Sequence, residues 1–190
     1  MQKVLIFFVL ILACSSCKER GVSSEEDFVK EVKSLSTIDL QKEFLEKIYD
    51  LDQGTRTDLP DIEIKYGFDS AEMKEAYEKM NAMDMDNIQK IELYLQQYGH
   101  PTIVGHGKKA AMTPWIVIHH SENNISRERN FKYLYDAYKN GDLRSGSFSF
   151  YLERMHQIKF GNRFTLPNPY KEEQLIDSLI TRLNLVAKEY

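Results

Sequence analysis

Apolar side chains recur every three or four residues through most of the chain, which is the spacing of one face of an α-helix. Five such stripes stand out: Leu40, Phe44, Ile48 and Leu51; Ile88, Ile91, Leu95 and Tyr98; Phe131, Leu134, Tyr135 and Tyr138; Phe148, Tyr151, Leu152, Met155 and Ile158; and Leu175, Ile176, Leu179, Ile180 and Leu183. No segment shows the clear alternation of a half-buried strand. The pattern therefore predicts an all-α fold, a single compact domain of about six to seven helices.

One apolar run, Trp115 to Ile118, is too short and too uniform for its periodicity to separate a buried helix from a strand. A helix is favoured because Lys108 to Ala111 leads straight into it, although Pro114 argues against this. We expect the core to contain Trp115, Ile116, Ile118, Leu134, Leu152 and Leu179.

Helix ends are predicted from capping residues. Candidates for starts are a capping box of Asp69 with Glu72, and N-caps at Ser126 and Ser147. Candidates for ends are Gly99, Gly141 and Gly161.

The chain opens with a segment that predicts its destination. Lys3 precedes ten residues without a polar side chain, Val4 to Ala13, about half of the roughly 20 that a transmembrane helix needs. The run ends in Ile11-Leu12-Ala13-Cys14, which resembles the lipobox of bacterial lipoproteins, with Cys17 as an alternative lipidation site. We expect a signal peptide over 1–13, a lipidated cysteine and flexible tether over 14–25, and the helical domain over 26–190. The other interpretation is a secreted protein with a Cys14–Cys17 disulfide.

Composition narrows the function classes. With 190 residues, 42% of them hydrophobic, the chain can bury an ordinary core, which excludes disorder. Both cysteines lie in the lipobox region, so the rest of the chain has no thiol for a disulfide, a thiolate nucleophile or a cysteine zinc site. The net charge of -4 gives no overall attraction to nucleic acid, and we predict no nucleic-acid partner and no cofactor.

Charge is distributed unevenly. Residues 18–100 hold 11 basic and 20 acidic side chains, whereas residues 101–190 hold 13 basic and 9 acidic ones. One interpretation is that these are solvated faces that also help the halves pack. The other is a basic face that binds an anionic glycan or a phospholipid headgroup, formed by Arg127, Arg129, Lys132, Arg144, Arg154 and Arg163.

Polar residues that could take part in catalysis or ligand binding follow the most apolar run. They are His119, His120 and Glu122. In a helix, His119 and Glu122 would share a face, as two metal ligands or as an imidazole with an orienting carboxylate. The spacing differs from that of zinc-protease helices, so we expect hydrogen-bonded structural histidines rather than a metal site.

A second group of polar residues lies at Asp52, Gln53 and Arg56 and at Glu153-Arg154. These charges are suited to a buried bridge between helices. Alternatively, Asp52, Arg56 and Arg154 line one pocket with His120, where arginines hold an anion and His120 or Asp52 moves a proton.

The order of several short motifs resembles domain of unknown function 6624, a family of bacterial secreted proteins and lipoproteins. The motifs, spread over about residues 40 to 165, are Asp52-Gln53-x-x-Arg56, Asp86-Asn87 at the start of a helix, Tyr98-Gly99-x-Pro101 with Val104-Gly105, His119-His120-Ser121-Glu122, Gly141-Asp142, and Tyr151-Leu152-Glu153-Arg154. The family usually has Gln-His-Ala-Asp at the histidine motif, an aspartate in place of Glu153, and Tyr-Gly-Thr-Gln in place of residues 162–165. The resemblance implies a shared fold and shared polar positions, and no activity.

Two function classes follow. The first is a lipid-anchored envelope protein that binds an anionic small ligand, a glycan or an envelope protein through its helical domain. The second is an acid/base hydrolase that uses His120 with Asp52 and Arg154. The missing thiol and the absence of a Gly-x-Ser-x-Gly elbow favour the binding protein.

Overall fold

The computed structural model describes residues 25–122 and 124–185, and every regular element in these ranges is helical. The elements are α1 (Glu25–Lys33), α2 (Ile38–Thr57), α3 (Leu59–Tyr66), α4 (Ala71–Tyr98), α5 (Ile103–His120), α6 (Asn124–Asn140), α7 (Ser145–Phe160) and α8 (Glu172–Leu183). The all-α prediction is confirmed, and the helices form a compact arrangement.

The described residues contain eight helices, rather than the six to seven that the periodicity predicts. Helix α3 buries no residue, so no apolar stripe announces it, and Pro60 stands in its first turn, where a missing N–H costs little. Helix α1 begins at Glu25, which the sequence assigned to the tether.

Helix α5 is the centre of the molecule, because it packs against α2, α4, α6 and α7. The run from Trp115 to Ile118 is helical, as favoured, and Pro114 lies inside the helix without ending it. Packing on several sides outweighs the lost backbone hydrogen bond. The last two residues of this central helix are His119 and His120. Both histidines therefore lie at the end of a helix that packs against α2, α4, α6 and α7.

Most predicted core positions are buried, with corrections at the margins of the stripes. Ile116, Ile118, Leu134, Leu152 and Leu179 are buried. Trp115 is only partly buried, because its ring packs at the edge of the core. Leu40, Leu51 and Ile158 lie on the exposed faces of their helices. In α2, Leu45 and Asp52 are buried in place of Leu40 and Leu51.

The C-terminal ends of the helices were predicted more accurately than their N-terminal starts. Gly99 and Gly161 cap α4 and α7, and Gly141 follows α6 with a positive φ of 81°, a conformation that glycine adopts without steric cost. The predicted starts were wrong: Ser70 caps α4, and Ser126 and Ser147 lie inside helices. Asp86-Asn87 also lies within α4, whose 28 residues run without interruption.

The signal peptide, Cys14 and Cys17 lie outside the described residues. Among the helices of residues 25–122 and 124–185, none has the length and apolarity needed to cross a bilayer.

Candidate functional site

Asp52 and His120 form the centre of the site, although 68 positions separate them in the sequence. The Nδ1–H of His120 donates to both carboxylate oxygens of Asp52, at 2.9 and 3.1 Å. The Asp52 side chain is only 1% exposed, whereas that of His120 is 23% exposed. Because Nδ1 is directed at the carboxylate, Nε2 on the opposite side of the ring is the nitrogen left for a ligand.

Asp52 is buried as a satisfied anion. Gln53 donates to its Oδ2 at 2.7 Å, and a guanidinium nitrogen of Arg56 lies 3.3 Å from Oδ1. Burial alone would raise the pKa of Asp52, but the hydrogen bond and charge of His120, reinforced by Arg56 and Gln53, hold it below its ordinary value of 3.8. The carboxylate therefore stays ionised and fixes the imidazole orientation.

Arg56 connects this pair to a second carboxylate on α4. Its Nη2 donates to Oδ2 of Asp84 at 2.7 Å, while Oδ1 of Asp84 is buried with no hydrogen-bond partner in the described residues. Burial raises the pKa of Asp84, and the guanidinium of Arg56 offsets this only in part. Arg56 is thus held by two carboxylates and by the carbonyl oxygen of Asp52.

A cavity of about 530 Å³ lies on the outer side of His120, between the end of α5 and the exposed face of α7. Its lining consists of His119, His120, Phe150, Glu153, Arg154, Gln157 and Arg163. The α7 residues fall at positions 150, 153, 154 and 157, which is one helical face, opposite the buried stripe. The volume suits a small molecule.

The two arginines of this cavity are its distinguishing feature. Within the described residues, neither Arg154 nor Arg163 makes a hydrogen bond or an ion pair, and both side chains are exposed. As the pocket hypothesis predicts, Arg154 and His120 line one cavity, but Asp52 and Arg56 are not among its lining residues, and Arg56 rather than Arg154 pairs with the Asp52 carboxylate. Two guanidinium groups face one carboxylate, Glu153, so the cavity favours an anion.

An aromatic column forms one wall of the cavity. The ring of His119 stacks on Trp115 at a centroid distance of 5.3 Å and on Phe150 at 4.6 Å. Burial, reinforced by the surrounding positive charges, lowers the pKa of His119 to about 4, so its ring is neutral at pH 7. His119 therefore acts as the uncharged middle ring of a stack.

Arg127, expected on a basic surface, is instead buried behind the site at 1% exposure. Its guanidinium donates to the carbonyl oxygen of His119, in the last turn of α5, where a positive charge is favoured. Its own carbonyl accepts from the Tyr151 hydroxyl at 2.6 Å. Arg127 thereby fixes the end of α5 against α6 and α7, and with it the position of the histidine pair.

Glu122 does not share a helical face with His119, because α5 ends at His120 and Ser121 is its C-cap. It lines a smaller cavity of about 260 Å³ on the other side of His120, together with Asp84. Among residues 25–122 and 124–185, no three histidine, cysteine or acidic side chains are grouped to hold a metal ion.

The remaining cations of the proposed basic face do not form one surface. Arg129 makes a bidentate bond with Glu92 at 2.7 to 2.9 Å, and Lys132 pairs with Asp136 at 2.7 Å. Both line a separate cavity of about 500 Å³ beside α6. The charges of Arg129 and Lys132 are already compensated, unlike those of Arg154 and Arg163. Arg144, the last cation of the predicted face, lies at the start of α7 in the lining of another cavity.

Phe150 and Gln157 are the site residues that the sequence analysis did not select. A signal was present, since Phe150 lies off the buried stripe of α7 and is 52% exposed. A large exposed aromatic residue one turn before an arginine on the same face is typical of a binding surface.

No protein-family model, no curated protein and no solved structure matches this chain. The resemblance to domain of unknown function 6624 stays a prediction, and the case for the site depends on its own geometry.

Proposed function

We propose that this chain is a lipid-anchored protein of the bacterial cell envelope whose helical domain binds a small anionic ligand in the cavity beside His120. The observation that carries the proposal is the pair of arginines, Arg154 and Arg163, that line one cavity without a partner among the described residues. Guanidinium groups bind carboxylate and phosphate with two parallel hydrogen bonds. His120 adds a nitrogen held in place by Asp52.

The cavity is tested by titrating the protein with acetate and with inorganic phosphate at constant ionic strength. Trp115, the single tryptophan, stacks on the His119 wall and supplies a fluorescence signal. We expect Arg154→Gln and Arg163→Gln each to weaken binding about tenfold, since each removes a charge-assisted hydrogen bond. Glu153→Gln removes the only opposing carboxylate of the lining and should strengthen binding.

Matched controls separate this interpretation from a general effect of charge. Arg129→Gln alters a cation that Glu92 already compensates, so anion affinity at the cavity should not change. Thermal melts should place Arg154→Gln and Arg163→Gln close to the parent, because neither side chain has a partner among the described residues. Equal weakening by Arg129→Gln and Arg154→Gln would mean that the anion is attracted by net charge alone.

Membrane localisation through a lipid anchor is a separate part of the proposal. It is supported by Lys3, the apolar run Val4 to Ala13 and the lipobox at Cys14. Mass spectrometry of the mature protein from the membrane fraction should find an acylated N-terminal cysteine. Acylation at Cys17 would move the site. A mature protein that is soluble with an unmodified N-terminus would contradict the anchor.

The Asp52–His120 pair favours a second candidate function, acid/base hydrolysis of an ester bound in the same cavity. A buried carboxylate that holds Nδ1–H leaves Nε2 to take a proton from water or a hydroxyl and return it to a leaving group. Hydrolysis of p-nitrophenyl acetate and p-nitrophenyl phosphate tests this candidate. Turnover must disappear in His120→Gln and fall strongly in Asp52→Asn, and parent rates equal to those of His120→Gln would rule out these reactions.

A further inference from the structure

We infer that the anionic ligand carries a ring, either an aromatic ring or the flat face of a pyranose, and that this ring stacks on Phe150. The inference rests on the proposed anion-binding function and specifies its ligand class. It follows from the way in which Phe150 is held, exposed and placed beside the two arginines.

Phe150 is an exposed residue of α7. It lies in the second turn of α7, between Ser149 and Tyr151, both of which are buried. Its own side chain is 52% exposed, although burial of a phenyl ring would stabilise the fold. An exposed ring in the lining of a cavity is available to a ligand.

The orientation of Phe150 is set from behind. His119 stacks on it at 4.6 Å with an interplanar angle of 26°, and Trp115 covers the other side of His119. Trp115 is itself anchored, because its Nε1–H donates to the carbonyl oxygen of Ser147 at 2.7 Å. Among the described residues, His119 is the only ring stacked on Phe150, so one face of the phenyl ring is free to continue the column.

The polar groups are placed to receive the acidic substituent of such a ring. Arg154 lies one helical turn beyond Phe150 on the same face of α7, and Arg163 follows the end of that helix. A ligand ring stacked on Phe150 therefore directs its carboxylate or phosphate toward the guanidinium groups. A bare anion uses the arginines alone, whereas a ring-bearing anion uses both features.

The experiment compares benzoate and glucuronate with acetate as ligands of the full chain, measured by Trp115 fluorescence and calorimetry. Benzyl alcohol and glucose serve as uncharged counterparts. We expect one or both of the ring acids to bind about tenfold more tightly than acetate, a margin typical of one stacking contact. Benzoate and glucuronate form separate arms, and the tighter ligand identifies the ring as aromatic or saccharide.

Substitutions at Phe150 test whether this residue causes the difference in affinity between the ring acids and acetate. Phe150→Ala should reduce the roughly tenfold preference for ring acids over acetate to about onefold, and Phe150→Tyr should retain the preference. Ile158→Ala, a change at another exposed apolar residue of α7 outside the lining, should have no effect. Equal affinities for acetate, benzoate and glucuronate in the parent would overturn the inference and leave anion binding intact. Failure of all three to bind would overturn the proposed function as well.

Discussion

Replacing His119 with phenylalanine tests whether the imidazole is a neutral ring inside the aromatic column. The neighbouring rings lie at centroid distances of 5.3 and 4.6 Å, so a phenyl ring continues the stack. The substitution also removes Nδ1, which is buried with no hydrogen-bond partner in the described residues. We therefore expect His119→Phe to be at least as stable as the parent at pH 7.

The difference in the free energy of unfolding between the parent and His119→Phe appears at lower pH. It follows from the pKa of His119, which burial lowers from 6.5 to about 4. As the pH falls below 6.5, the unfolded chain binds a proton that the folded chain does not, so the free energy of unfolding decreases until about pH 4. Each tenfold change in proton activity is worth about 1.4 kcal/mol, which sets an upper limit of about 3 kcal/mol on this loss, and solvent screening of the partly exposed ring reduces it. His119→Phe lacks this loss.

Urea unfolding followed by circular dichroism at pH 7 and pH 4.5 measures the difference. The parent should lose about 1 to 2 kcal/mol more than His119→Phe between these two values. The pKa of His100 is also lowered by burial to about 4, but His100 is present in both proteins and its contribution cancels. Equal losses in the two proteins would refute the reasoning, because His119 would then titrate as a solvated imidazole and the column would be open to water.

Further substitutions test the packing and the support of the site. Leu152→Ala should lower the free energy of unfolding by about 2 to 5 kcal/mol in chemical denaturation, because Leu152 is fully buried. Arg127→Met keeps the volume but loses the donor to the His119 carbonyl, and denaturation should show a cost of about 1 to 3 kcal/mol. For Asp52, whose folded pKa is lowered, ionisation stabilises the fold above about pH 4, and this stabilisation disappears as the pH falls through the lowered value. Asp52→Asn should flatten the acid side of the stability profile, and no change in that slope would count against a buried carboxylate.

The sequence predicts the elements that bury an apolar face and misses those that do not. The stripe of α7 is largely confirmed because Phe148, Tyr151, Leu152 and Met155 are buried together. Helix α3 has no buried side chain, so its sequence carries no such pattern. An apolar stripe appears in the sequence only where a helix buries one face. A helix on the surface, such as α3, can be predicted only from its capping residues and its proline.

The site is predictable where burial makes a partner necessary, and unpredictable where exposure removes that need. Asp52 follows an apolar stripe and is buried, so a counterpart such as His120 is required. Arg154 is exposed and needs no partner, so its sequence position does not distinguish the cavity that it shares with His120 from a place beside Asp52, which Arg56 takes. The burial of Arg127 depends on where α5 ends, because its acceptor is a backbone carbonyl, a position that side-chain patterns do not encode.

Binding of an anion in the cavity beside His120 is the central claim, and NMR mapping tests it most directly. Titration of isotopically labelled protein with benzoate, monitored through backbone amide and arginine side-chain resonances, locates the bound anion. We predict saturable shifts at Phe150, Arg154, Gln157 and Arg163, absent in the Arg154→Gln, Arg163→Gln double variant. Saturable shifts centred on Arg129 and Lys132 beside α6, or no saturable shift at all, would contradict the account.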